Sequence, residues 1–236
     1  MAPRKRSLIM AVLIGFVAFA PRHTYGFPPY RLTDADTAAP WTVEGRLGLF
    51  RIERDRRHSA YSSPLLRVNL GLPRDVELIS EFEYRPDEGR VADAAIGFKW
   101  IPLMRRLSVG VETLALLPVS HKHHGAGVES SLLTTLRIDP LRVHVNAGGF
   151  YDARPVTSEH GWRGGILLEG QWGSFRPGIE VFAKQIVVQP VQVLLGPGVI
   201  VDVGPFDVRV GVHVGLTRDA ANVTPSLWVT SKVPIP

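Results

Sequence analysis

The stretch Phe206-Asp207-Val208-Arg209-Val210-Gly211-Val212-His213-Val214-Gly215-Leu216 alternates without exception: every even position is apolar, and every odd position is polar, charged or glycine. Side chains of a β-strand point alternately to the two faces of a sheet, so a period of two places one face in an apolar medium and the other in a polar one. The rest of the chain decides which media these are.

At the N-terminus Arg4-Lys5-Arg6 precedes an apolar run from Leu8 to Ala20, 13 residues long. A membrane-spanning helix needs ~20, so the layout is that of a secretory signal peptide, residues 1–26, with the cut placed after Gly26. Removing it takes away Arg4, Lys5, Arg6 and Arg22 and no acidic residue, which lowers the formal charge from +5 to +1. The basic balance therefore belongs mainly to the leader, and a nucleic-acid partner is not expected. The chain has no cysteine. An exported chain without disulfides must hold its fold by hydrogen bonding and packing, which suits a large closed sheet.

Residues 27–40, with Pro28, Pro29 and the polar run from Arg31 to Pro40, read as an extended lead-in. Residues 41–236 read as strand, turn, strand to the end, in one domain. Period-two runs set against turn residues predict twelve strands: Trp41 to Arg54, Tyr61 to Leu72, Asp75 to Arg85, Val91 to Ile101, Arg106 to Pro118, Gly127 to Ile138, Leu141 to Tyr151, Gly161 to Trp172, Phe175 to Gln185, Val191 to Asp202, Phe206 to Thr217 and Asn222 to Val233. An even number of strands, each near the ~9 to 11 residues needed to cross a bilayer, is the pattern of an outer-membrane barrel.

The connections agree with that reading. Pro73-Arg74, Asp139-Pro140, Gly173-Ser174 and Val203-Gly204-Pro205 are tight joins on one side, whereas Asp55 to Ala60, Val119 to Ala126 and Asp152 to His160 on the other are longer and more polar. Pro102 to Arg105 is the exception, a longer join on the short side.

Across strands the two faces remain distinct. Val76, Leu78, Phe82 and Tyr84 share a face, as do Ala92, Ala94, Ile96, Phe98 and Trp100, then Leu141, Val143, Val145 and Ala147, then Ile166, Leu168 and Trp172. Opposite them stand Glu77, Glu81, Glu83, Asp93, Lys99, Arg142, His144, Asn146, Arg163, Glu169 and Gln171. A soluble barrel or sandwich would have to bury one of these faces, and an apolar band facing water over twelve strands would aggregate. Lipid outside and a polar lumen inside satisfy both. Trp41, Tyr84, Trp100, Tyr151, Trp162, Trp172 and Phe206 fall near strand ends, where interfacial girdles place aromatic rings. Trp228 departs from the pattern, since the alternation that puts Leu227 and Val229 on one side turns it to the other. The expected fold is therefore all-β, a closed antiparallel up-and-down transmembrane β-barrel of about 12 strands, located in the bacterial outer membrane with its lipid as partner.

Arg31-Leu32-Thr33-Asp34-Ala35-Asp36-Thr37 and Val43-Glu44-Gly45 resemble the mature start of the outer-membrane transporter barrels grouped with the MetA pathway of phenol degradation. Pro64 to Leu72 with Asp75-Val76-Glu77-Leu78, the strand Val91 to Trp100, Leu117-Pro118 with Gly125-Ala126-Gly127, and Val145 to Gly149 are similar to the strands and hairpins that follow. The resemblance spans most of Arg31 to Tyr151 and implies an outer-membrane barrel with a transport role and no catalytic residues. The chain departs from the pattern of barrels that end on an aromatic residue read by the barrel-assembly machinery, its expected partner in biogenesis, because it ends Val233-Pro234-Ile235-Pro236.

Motifs for chemistry are scarce. The chain contains no G-x-S-x-G, no P-loop lysine and no H-E-x-x-H, and Gly125-Ala126-Gly127-Val128-Glu129-Ser130 lacks the third glycine of a dinucleotide fingerprint. No cofactor is expected. His121, His123 and His124 form one weak metal candidate in an external loop, without a carboxylate or cysteine to complete it. A lipid-modifying enzyme would need a serine and a histidine in hydrogen-bond reach, and His144, His160 and His213 with Ser130, Ser131 and Ser226 supply types but no pairing. The expected role is passive and non-enzymatic: a channel or transporter for small solutes, amphipathic or aromatic ones among them, with an outer-membrane lipid-modifying enzyme or a plugged structural barrel as the alternatives. The lumen-lining candidates are Glu44, Arg46, Arg67, Glu81, Lys99, Glu112, Arg142, His144, Glu169, Arg176, Glu180, Lys184, Asp207, Arg209 and His213.

Overall fold

A computed structural model describes residues 29–53, 59–85, 90–119, 125–155 and 157–235. The leader expected at residues 1–26 and the histidines at 121, 123 and 124 lie outside the described residues.

Twelve strands follow one another in order: β1 (Thr42–Glu53), β2 (Ser59–Leu72), β3 (Val76–Arg85), β4 (Arg90–Leu103), β5 (Leu107–Leu117), β6 (Gly127–Ile138), β7 (Leu141–Asp152), β8 (Glu159–Gly170), β9 (Phe175–Ile186), β10 (Gln192–Val203), β11 (Phe206–Gly215) and β12 (Val223–Pro234). Each pairs antiparallel with its sequence neighbours, and β1 pairs with β12 to close the barrel. Closure leaves no strand with an unpaired edge. The architecture is the all-β, twelve-stranded closed barrel that the alternation predicts, with strand limits within a few residues of those expected.

The connections differ by side. Even-to-odd joins are two to four residues long, whereas odd-to-even joins run from four to nine. The join expected at Pro102 to Arg105 is shorter than the sequence suggests. A bulge between Trp100 and Leu103 carries β4 through Pro102, which cannot donate to a ladder and is tolerated at such an irregularity.

The outer wall is apolar: Leu78, Phe82, Ile96, Phe98, Leu132, Ile166, Val181, Val210 and Leu227 all project away from the barrel and are exposed. Trp41, Trp100, Trp172 and Phe175 ring the short-turn end, and Tyr84, Tyr151 and Trp162 ring the loop end. Trp228 points inward and is buried, because Gly48 stands opposite it on β1 and leaves room for the indole. A Cβ at Gly48 would lie 2.5 Å from the Trp228 ring.

Barrels of about eight strands can be filled by their own side chains, and those of about 16 to 18 leave an aqueous channel. This twelve-stranded wall is filled by its own N-terminal segment. Residues 29–40 enter the lumen at the short-turn end, and Tyr30, Leu32, Thr33, Asp34, Ala35, Asp36 and Ala38 are all buried there. The lead-in expected to be merely extended is an internal plug. It turns into β1 at Trp41, whose backbone is left-handed (φ 61°). Hydrogen bonds from Trp41 N to Gly71 O (2.8 Å) and from Ile235 N to Trp41 O (2.7 Å) tie that corner to the wall.

Candidate functional site

The odd positions of β11 that open the sequence reading line the lumen: Asp207, Arg209, Gly211 and His213 are all buried. Glu44, Arg46, Arg67, Lys99, Glu112, His144, Glu169, Arg176 and Glu180 are buried on the same inner face, and Glu81, Arg142 and Lys184 are half-buried there. A charge can be buried this deeply only if it is paired or hydrogen-bonded. Much of that pairing runs along the wall. Arg46 meets Glu44 at 2.6 Å, and Lys232 reaches the same carboxylate at 3.3 Å. Arg67 holds Glu112 at 2.9 Å and also Glu81, while Arg209 and Arg176 approach Asp207 at 3.0 and 3.8 Å. Lys184 lies over the Phe150 ring, 4.7 Å from its centre.

The remaining pairing is between wall and plug, and it follows the segment inward. Near the short turns, Ala38 N donates to Glu77 Oε2 (2.6 Å) and Ala35 N donates to Thr135 Oγ1 (2.8 Å). Lys99 Nζ bonds Asp34 Oδ1 (3.4 Å) and the Asp36 carbonyl (3.1 Å). The Asp36 carboxylate also takes Arg137 and, at 3.7 Å, Arg142. Half-way along the barrel, Arg31 N and Leu32 N donate to the two oxygens of Glu180 at 2.7 and 3.1 Å, and His213 Nε2 bonds the same carboxylate. Tyr30 donates its hydroxyl to Gly198 O at 2.8 Å. Burial, reinforced by Glu169 and Glu180, pushes the Tyr30 phenol above its ordinary pKa, so the proton it donates is firmly held.

Apolar contacts complete the seat. Tyr30 and Leu32 pack with Leu167, Phe182, Leu194 and Ile200, and Ala35 packs with Ile101 and Leu133. Glycines let the backbone pass close to the wall: a Cβ at Gly211 would come within 2.5 Å of Pro29 and one at Gly198 within 2.7 Å. Each of these apolar wall residues occupies an inward position otherwise given to polar groups. They are functional residues that the candidate set for a polar lumen does not include.

Beyond Tyr30 and Leu32 the lumen opens. A cavity of about 240 Å³ is lined by Tyr30, Arg31, Leu32 and Thr33 of the plug and by Leu65, Arg67, Glu81, Glu112, Leu114, Leu116, Glu129, Ser131, Asn146, Arg163, Gly164, Phe182 and Trp228 of the wall. Smaller spaces adjoin it beside Pro29, His213 and Trp228 and beside Glu83 and Arg154. The serines and histidines weighed for catalysis are not brought together. His144 Nδ1 bonds Thr135 Oγ1 (2.9 Å), His213 bonds Glu180, Ser130 bonds Thr113 (3.0 Å) and Ser226 donates to Gly211 O (3.5 Å). Among the described residues no serine hydroxyl lies in hydrogen-bond reach of a histidine ring.

No family model matches the chain and no curated protein matches it, so neither comparison confirms the likeness to the phenol-degradation barrels. Solved structures share the fold. The NanC porin is 9% identical with a TM-score of 0.59, the alignment covering 82% of this chain and 100% of the porin. A porin refined at 1.8 Å is 8% identical with a TM-score of 0.45, covering 81% and 99%. At 9% identity the NanC likeness speaks to architecture alone, the β-barrel fold.

Proposed function

We propose that this protein is an outer-membrane barrel that admits small solutes and whose lumen residues 29–40 keep closed at rest. The observation that carries the reading is the inversion of polarity across the wall: exposed Leu78, Phe82, Ile96 and Ile166 outside, buried Glu112, Lys99, Glu180 and Arg209 inside. Such a wall is stable with hydrocarbon on one side and a hydrated or ion-paired interior on the other. The two aromatic rings fit headgroup levels at the two membrane faces. The resemblance to transporter barrels of phenol degradation points to solutes with an apolar or aromatic body.

The plug itself favours a second reading, a barrel that is structural and stays shut. The two differ in what holds the segment. Its bonds to the wall are non-covalent, and most involve a charged side chain, paired with an opposite charge or with a backbone group, which water can replace if the segment leaves. Planar-bilayer recording separates the readings. A solute pathway predicts openings in the full chain that become steady when residues 29–40 are removed. A structural barrel predicts a full chain that stays silent, with conductance only once residues 29–40 are removed.

A further inference from the structure

Two polar groups in the 240 Å³ cavity stand out from the paired wall. Arg31 is exposed to the lumen although its backbone is fixed through Glu180. Its guanidinium lies 5.6 Å from the centre of the Phe182 ring and forms no ion pair with a carboxylate among the described residues. The carboxylates around it are occupied: Glu81 and Glu112 by Arg67, Glu129 by Arg163, and Glu180 by two backbone amides and His213. The second group is Asn146, only 7% exposed, whose Oδ1 is buried without a hydrogen-bond partner among the described residues. A buried amide left unsatisfied is costly, and in a native site it points to a ligand or bound water. Rotation of the amide exchanges its oxygen and nitrogen, so Asn146 can present its NH2 to the cavity as readily as its carbonyl.

The rest of the lining is mixed: Leu65, Leu114, Leu116, Phe182 and Trp228 supply its apolar surface, and the charged residues there are ion-paired, Arg67 with Glu81 and Glu112 and Arg163 with Glu129. We infer that the cavity is a binding site for a small organic monoanion with an apolar body, held by Arg31 and Asn146 at its charged end and by Leu114, Phe182 and Trp228 along its length. A carboxylate matches the guanidinium fork in charge and shape. A cavity of this size has room for about eight waters, so the ligand is a small molecule rather than a chain segment. Because Arg31 belongs to the plug, the ligand binds the closed state and touches the segment that closes it. The inference rests on the solute-pathway reading for its biological sense and on the cavity alone for its chemistry.

Calorimetry on the full-length protein in detergent tests it, with hexanoate as probe against hexanamide, acetate and hexylamine. Hexanoate should bind, and hexanamide and acetate should bind more weakly, one lacking the charge and the other the apolar body. Arg31→Gln should weaken hexanoate about tenfold, the order expected for one charge-assisted hydrogen bond, while Arg31→Lys retains part of the affinity. Asn146→Ala should weaken it less. Failure of hexanoate to bind, hexylamine binding as tightly as hexanoate, or affinity unchanged in Arg31→Gln would each overturn the assignment. Conductance of the full chain, recorded from the same membranes, keeps the readings apart: conduction without hexanoate binding removes the ligand class alone, and binding without conduction removes the pathway alone.

Discussion

At the short-turn end of the lumen Lys99, Arg137 and Arg142 close on Asp34 and Asp36 of the incoming segment, whereas toward the loops Arg31 and Asn146 face open volume. Charged residues stand among the inward positions of the wall at both levels. What differs is the occupant. Where residues 32–38 press against the wall, the inward positions include Ile101, Leu133 and Leu167, and the segment supplies the anions the wall cations need. Around the cavity beside Tyr30 and Arg31 the wall pairs within itself, as Arg67 does with Glu112, and space remains. One barrel thus carries a filled level and an open one.

Removing residues 29–40 should break the contrast most completely. Water would hydrate the exposed charges, full chain and shortened chain alike should show heat-modifiable migration as folded barrels, and planar bilayers would show conductance far above that of the full chain. Lys99→Met should come next. It leaves Asp34 and Glu77 buried beside the plug without their ammonium, a loss on the order of 3 to 5 kcal/mol for a broken buried pair. Limited proteolysis of the N-terminal segment in folded barrel should then become fast, with the barrel itself resistant. Gly211→Leu is expected to act on the same seat by crowding Pro29, with a penalty of about 1 to 3 kcal/mol and a smaller gain in cleavage. Trp228→Ala should have the least effect on closure, since the indole lines the cavity and leaves the segment's bonds intact. It would widen that space, weaken hexanoate binding and leave conductance at the full-chain level.

The barrel was legible because lipid and lumen impose a period of two on every strand, seen without exception from Phe206 to Leu216. Turn residues and connection length then set the parity of the ends. The plug was not legible from residues 27–40, whose prolines and polar residues read as an extended lead-in and carry no period of their own. Its trace lies in the wall. The runs Trp100-Ile101, Leu132-Leu133, Ile166-Leu167-Leu168, Val181-Phe182, Val193-Leu194-Leu195 and Val199-Ile200-Val201 interrupt the alternation by putting an apolar residue inward. Ile101, Leu133, Leu167, Phe182, Leu194 and Ile200 are the residues that meet Tyr30, Leu32 or Ala35 or pack in their clusters. A lumen filled only with water would have no use for them. Trp228 is a parallel case: its inward side was readable, but the space that accepts it depends on Gly48, sequence-distant and joined to it only by barrel closure.

Because the chain has no native cysteine, the position of the N-terminal segment inside the barrel is directly measurable. Ala35 is 0% exposed between Ile101 and Leu133, whereas Val188 in the β9 to β10 connection is 98% exposed. Single-cysteine variants Ala35→Cys and Val188→Cys, reconstituted as full chains, can be labelled with a bulky, membrane-impermeant maleimide. The Val188→Cys variant should be modified promptly, and the Ala35→Cys variant should stay unmodified until the barrel is denatured. Equal labelling of the two variants in the folded barrel would mean that the segment is not held inside the lumen.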